Sequence, residues 1–129
     1  MNIIYERASK YSFEESIEKV KTLLKERSFG VLWQLNFKDK LAEHELTLDG
    51  NFMVLEVCNP KQAQKVLSRH IDVGYFLPCK MAIYEKDDAV YVGMPRPEKL
   101  IGMIGHEDLF EVGAQVEAVL KEVIDEIAA

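Results

Sequence analysis

The sequence lacks long apolar runs and the motifs of several common enzyme classes. No stretch approaches about 18 uncharged apolar residues, which argues against a spanning helix and against a membrane partner. The chain is charged by its sixth residue, Glu6, so we do not expect a secretory signal. It has no G-x-G-x-x-G, Walker or G-x-S-x-G pattern, so these motifs support neither nucleotide binding nor serine-hydrolase chemistry.

Cysteine and histidine are also scarce. The two cysteines, Cys58 and Cys79, are 21 residues apart, and no C-x-x-C or other zinc-ligand spacing occurs. None of the histidines, His44, His70 and His106, has a cysteine or another histidine within four residues. We therefore predict no metal-ligating residues, identify no cofactor, and interpret each histidine as an isolated surface side chain. Two thiols without a signal peptide favour the reducing cytoplasm.

Basic residues are outnumbered. Sixteen Lys and Arg against twenty-two Asp and Glu give a net charge of -6. Seven acids and one base lie between Glu107 and Ala129, which is typical of a helix with an acidic solvent face. No basic stripe exists, so we expect no nucleic-acid partner.

The remaining composition is that of an ordinary globular protein. Apolar residues make up 48% of the 129 positions and charged residues 29%. A chain of this length buries enough surface to fold without disulfides or metals. We expect a single domain over residues 1–129.

Periodicity predicts alternating strands and helices. We expect strands at 2–7, 31–37, 52–58, 79–86 and 89–94, the last two joined by an Asp87-Asp88 turn. Helical segments are expected from an N-cap at Ser12 to a stop at Gly30, at 38–45, after Asn59-Pro60, at 97–104 and at the C-terminus. The predicted class is α+β: a mainly antiparallel sheet with an N-terminal and a C-terminal helix packed on one face.

Two of the predicted strands differ in how apolar residues are arranged. Val31, Trp33, Leu35 and Phe37 alternate with other residues, which predicts one apolar face. The run 52–58 is apolar except for Glu56 and is expected to be covered on both faces. Because the helices cover only one face of the sheet, a second subunit is the simplest cover for the other, and we expect a homodimer.

The ends of two predicted strands carry the candidate functional residues. Glu56, Cys58 and Asn59 end one strand, and Cys79 and Lys80 begin the next. Lys80 could lower a thiol pKa, but alternation along the strand points it away from Cys79. The cysteines are either buried structural residues or a reactive or ligand-binding pair.

These two strings resemble the signature of the DUF302 family. The strings are Glu-Val-Cys-Asn-Pro at 56–60 and Leu-Pro-Cys-Lys-Met-Ala-Ile-Tyr-Glu at 77–85. The resemblance covers nearly the whole chain and implies a TBP-like α+β fold and a homodimer. The likeness to TBP is one of architecture only, since a basic DNA-facing surface is missing. The resemblance implies no reaction.

Three hypotheses for function follow. The first is a cytoplasmic homodimeric module that binds a small molecule or a partner near Cys58 and Cys79. The second is a thiol-dependent enzyme or redox protein that uses Cys58 or Cys79, tuned by Glu56 or Lys80. The third is metal or haem binding by cysteine with histidine. Whether the protein is an enzyme stays open. Arg96, between two prolines, is either a recognition residue or a solvated linker charge, and the linker interpretation is favoured.

Overall fold

The computed structural model describes residues 2–129, which form a five-stranded sheet with helices on one side. The strands are β1 (Ile4–Ala8), β2 (Gly30–Asn36), β3 (Phe52–Cys58), β4 (Cys79–Lys86) and β5 (Ala89–Pro95). The helices are α1 (Phe13–Glu26), α2 (Phe37–Ala42), α3 (Pro60–Arg69), α4 (Pro97–Ile104) and α5 (Phe110–Ile127), with 3-10 helices at Ile71–Phe76 and Glu107–Leu109. The strand order is β1-β5-β4-β3-β2, and every neighbouring pair is antiparallel. The predicted α+β class is confirmed.

Local signals explain where α1 begins but not where it ends. The Ser12 hydroxyl accepts a hydrogen bond from the Glu15 backbone N–H at 3.1 Å, as the capping pattern predicts. The prediction that Gly30 stops the helix is wrong. The helix ends at Glu26, and the chain turns through Ser28, whose φ is 65°. Gly30 instead begins β2.

The β4–β5 hairpin forms as its turn residues predict. Asp87 and Asp88 have φ values of 51° and 63°, in the left-handed region. Two consecutive left-handed residues suit the right-handed twist of the flanking strands, and Asp tolerates that conformation better than most residues.

The main core lies between one face of the sheet and the two helices α1 and α5. Leu55, Met81 and Val92 are fully buried on the sheet side. The helices contribute apolar side chains at helical spacing: Phe13, Ile17, Val20 and Leu24 from α1, and Leu120, Val123, Ile124 and Ile127 from α5. No helix within residues 2–129 is long and apolar enough to cross a bilayer.

A bulge in β2 overturns the predicted alternation of that strand. The register shifts between Val31 and Trp33, so Val31 pairs with Val57 whereas Trp33 pairs with Glu56. The extra residue moves Trp33 to the opposite side of the sheet from Val31. The prediction that Val31, Trp33 and Leu35 share one face is therefore wrong.

The bulge adds Trp33 and Leu35 to an apolar patch on the second face of the sheet. We call this the aromatic face and define it by the cross-strand neighbours Trp33, Leu35, Phe52, Val54, Tyr84 and Tyr91. Phe52 and Tyr84 stack at 5.2 Å between ring centroids, and Tyr84 and Tyr91 at 5.3 Å. Trp33 is 47% exposed. The expectation that β3 is covered on both faces holds in part: Val54 on the aromatic face is buried, and Phe52 is half-buried.

Candidate functional site

The site lies where β3 ends and β4 begins. Asn59 leaves β3 and its side-chain oxygen accepts a hydrogen bond from the Gln62 backbone N–H at 3.2 Å, which starts α3. Pro60 occupies the first turn, where its missing N–H costs no helical hydrogen bond. In the sheet, Cys79 pairs with Val57 and Lys80 with Glu56. The two cysteines are thus held at one end of adjacent strands.

A cavity of about 430 Å³ opens at these strand ends. Its walls come from the end of β3, α3, the 3-10 helix at Ile71–Phe76, the start of β4, α4 and α5. Most of the lining is apolar, with Phe29, Val57, Val66, Leu77, Ile101 and Val116 among it. This size and lining are those of pockets that accept small organic molecules.

The structure brings all five sequence candidates to this cavity. Glu56, Cys58, Asn59, Cys79 and Lys80 are among the residues that line it. Because paired residues share a sheet face, Cys79 lies on the face of Val57, and Lys80 on the face of Glu56. The prediction that Lys80 points away from Cys79 agrees with this register.

Gln62 is a cavity residue that the sequence did not single out. Its side-chain oxygen is buried and has no hydrogen-bond partner among residues 2–129. A buried polar atom without a partner costs free energy, so such atoms are uncommon in folded proteins. A bound donor group would satisfy it. No sequence signal marked Gln62, since a glutamine in the first turns of a helix is ordinary.

A buried carboxylate fixes the α4 wall of the cavity. Glu117 on α5 is 2% exposed, and its Oε2 accepts hydrogen bonds from Arg96 at 2.8 and 3.0 Å. Its Oε1 accepts one from the Glu98 backbone N–H at 3.2 Å, and Lys121 lies 3.1 Å from Oε2. Arg96 is therefore an anchor between β5 and α5, and its interpretation as a solvated linker charge is wrong.

Charge neighbours keep this buried carboxylate ionised. Burial pushes the pKa of Glu117 up, but hydrogen bonds from Arg96, Lys121 and the Glu98 backbone outweigh burial and leave the pKa lowered. The expectation that the C-terminal helix bears a solvated acidic face consequently fails at Glu117. No feature of the sequence distinguishes Glu117 from the other acids of α5.

The environment of the cysteines disfavours thiolates. Both cysteines are free and half-buried. Burial raises the pKa of the Cys58 thiol. Burial, together with the neighbouring Cys58, raises the pKa of the Cys79 thiol to about 11. Nucleophilic thiols in enzymes need the opposite shift, so this site does not favour the thiol-dependent hypothesis.

We expect slow labelling of both thiols by Ellman's reagent in the native protein. With a pKa of about 11, roughly one Cys79 side chain in a thousand is a thiolate near pH 8, against about one in four for a free cysteine. The measurement is the labelling rate against pH in Cys58→Ser and Cys79→Ser variants. Protein unfolded in guanidinium is the fast control. Labelling of either native variant at the unfolded rate near pH 8 would contradict the raised pKa values.

The sequence predicted isolated surface histidines, and the structure contradicts that prediction for two of the three. Interpretation as isolated side chains is wrong for His70 and His106, whose rings stack with centroids 3.7 Å apart. None of the three histidines lines the cavity in the described part of the chain, so the cysteine-with-histidine ligand set has no support. The spacing of 36 residues between His70 and His106 gives no sequence signal for this contact.

Comparison with known proteins places this chain in a family. A search of curated proteins found no significant match. The crystal structure of an uncharacterized conserved protein DUF302 from Bacillus stearothermophilus is similar, with a TM-score of 0.94 and 37% identity. That match covers 98% of this chain and 99% of the other. The model of the domain of unknown function DUF302 matches residues 5–127, and this chain belongs to the DUF302 family.

Proposed function

We propose that this protein is a binding module for a small, mainly apolar molecule held in the cavity at the ends of β3 and β4. The observation that carries the proposal is the buried, unpartnered oxygen of Gln62 in a cavity of about 430 Å³. An apolar pocket with a few placed polar groups is the usual form of a small-molecule site. The thiol-dependent enzyme stays an alternative that the raised thiol pKa values do not favour.

The lining predicts the chemistry of the ligand. Val66, Ile101 and Val116 would bury an apolar body, and burial of apolar surface supplies most of the binding free energy. The Gln62 oxygen calls for a ligand N–H or O–H group. A ligand with both features fits the cavity better than a purely apolar or a strongly anionic one.

We also propose that the module is a homodimer that packs through the aromatic face. That face offers stacked rings and an exposed indole, and it carries Glu6 and Glu56 together with Lys80. A two-fold axis places the same patch against itself, so acids and base on one face can pair across it. A second copy suits this mixture of apolar and oppositely charged groups.

The free cysteines support a cytoplasmic location, and the net charge of -6 supports partners other than nucleic acids.

Fluorescence titration with aminoanthracene tests the cavity. This apolar amine combines a flat hydrocarbon with an N–H donor. We expect saturable binding to the wild type and affinity at least about tenfold weaker for Ala63→Phe, because a phenyl group on α3 fills the cavity. Ala42→Phe makes the same change on α2, at an exposed position outside the cavity lining, and should leave binding unchanged.

A second variant tests the role of Gln62. Gln62→Leu should weaken aminoanthracene binding about fivefold, the factor that corresponds to one ordinary hydrogen bond. Methylanthracene has no donor, so its affinity should not fall in the same variant. Equal affinity of aminoanthracene for wild type, Ala63→Phe and Gln62→Leu would refute the proposed site.

A further inference from the structure

Two stacked imidazoles bring together the segments that follow α3 and α4. His70 ends α3, and His106 follows α4. Their rings are nearly parallel, with an interplanar angle of 8° and a centroid distance of 3.7 Å. Both side chains are about one-quarter to one-third exposed, at 30% and 27%. Solvent and ions can therefore reach them.

Each imidazole faces a carboxylate through its Nε2 atom. The Nε2 of His106 lies 3.0 Å from both oxygens of Asp72. The Nε2 of His70 lies 2.9 Å from Oδ1 of Asp108. The partners cross over, because Asp72 follows His70 in sequence and Asp108 follows His106. Each imidazole is thus held by a carboxylate from the other of the two connections.

The donor set and its spacing match a transition-metal site. One ligand atom each from His70, Asp72 and His106 lies within 4.8 Å of the others. Tetrahedral Zn²⁺, with bonds of about 2.0–2.1 Å to nitrogen and oxygen, places its ligand atoms about 3.3 Å apart. Metal binding requires side-chain rotations that bring the ligand atoms closer and unstack the two rings, because an ion must lie near the plane of each imidazole that binds it. Imidazole and carboxylate without thiolate suit Zn²⁺ and its neighbours in the first transition row better than Mg²⁺ or Cu⁺.

We propose that His70, His106 and Asp72 bind a divalent transition-metal ion of the Zn²⁺ class. Coordination takes neutral imidazoles, so binding displaces any proton shared between each histidine and its aspartate. The ion links the α3 end and the following 3-10 helix to the α4–α5 connection. The small core beneath these segments, made of Val66, Val73, Leu109 and Val112, already packs them together. This proposal is independent of the ligand proposed for the cavity.

Calorimetric titration of the chelator-treated full chain with ZnCl₂ tests the site. We expect one Zn²⁺ per chain, and a visible absorption band typical of low-coordinate Co²⁺ when CoCl₂ replaces ZnCl₂. His70→Ala and His106→Ala should each weaken Zn²⁺ binding by at least about a hundredfold. Asp72→Asn keeps the size of the side chain and should also weaken binding, which covers the case in which an alanine variant folds poorly.

Two controls separate this site from other ligands on the surface. His44→Ala removes an exposed histidine outside the cluster and should leave Zn²⁺ binding unchanged. The double variant Cys58→Ser, Cys79→Ser should also bind as the wild type does. The proposal is overturned if the wild type binds no Zn²⁺, if folded Asp72→Asn and both histidine variants bind as tightly as the wild type, or if the cysteine variant loses the metal.

Discussion

Trp33→Glu is expected to convert the proposed homodimer into monomers. The Trp33 side chain lies on the aromatic face and is 47% exposed in the single chain, so a charge there is tolerated by the folded monomer. In a two-fold interface each copy would bury a new carboxylate. Neither carboxylate would have an opposite charge at that position. Sedimentation velocity at micromolar concentration should show the wild type at twice the 14.8 kDa chain mass and the variant at the chain mass.

Met103→Glu is the matched control for this prediction. Met103 is 68% exposed and lies on α4, outside the aromatic face. The same added charge at that position should leave the dimer intact. A wild-type chain that sediments as a monomer, or a Trp33→Glu variant that stays dimeric, would show that the aromatic face is not the interface between copies.

Glu117→Gln is expected to lower the free energy of unfolding by about 1–3 kcal/mol at neutral pH. Glu117 is 2% exposed and holds Arg96 and the start of α4 on α5. The amide keeps the volume of the side chain but removes the negative charge and replaces one acceptor by a donor. Urea unfolding followed by circular dichroism measures the difference.

The pH dependence of this effect has a definite sign. The pKa of Glu117 is lowered in the folded protein, so its ionised form contributes stability above the ordinary glutamate pKa. That contribution is lost as the pH falls through the folded-state pKa. The difference in free energy of unfolding between wild type and Glu117→Gln should therefore decrease as the pH falls.

Glu122→Gln provides the control on the same helix. Glu122 is 64% exposed and pairs with Arg27 at 3.3 Å on the surface, where such pairs add little stability. The unfolding curve of Glu122→Gln should match that of the wild type. If Glu117→Gln is as stable as Glu122→Gln at neutral pH, the buried carboxylate does not anchor α4.

Local sequence signals predicted most elements of the fold. The Ser12 and Asn59 caps, the Pro60 helix start and the Asp87-Asp88 turn each depend on contacts within three residues. Such short-range contacts can be predicted from the local order of residue types. The α+β class followed from them because an amphipathic helix and a half-buried strand must pack together.

Features that depend on long-range contacts could not be predicted in this way. The β2 bulge arises from how Trp33 pairs across the sheet, and alternation alone placed that residue on the wrong face. Arg96 and Glu117 are 21 residues apart, and His70 and Asp108 are 38 apart. No local pattern distinguishes such charged residues from solvated ones. Tertiary packing decides which of them pair.

The candidate site was predicted in part because strand ends gather side chains. Cys58 and Cys79 end and begin neighbouring strands, and the structure places both on the cavity. The reactivity of the two thiols could not be predicted from residue type. Burial sets the pKa of a thiol, and burial is a property of the folded chain. Gln62 was missed for the same reason: only the packing around it leaves its oxygen without a partner.

Methyl NMR spectra during titration with aminoanthracene test the central claim most directly. If the cavity binds the ligand, methyl resonances of Val66, Ile101 and Val116 should shift together and saturate at one ligand per chain. Resonances of Leu35 and Val54 on the aromatic face should stay in place. Shifts confined to the aromatic face, or no saturable shift at the three cavity residues, would contradict a binding site at the ends of β3 and β4.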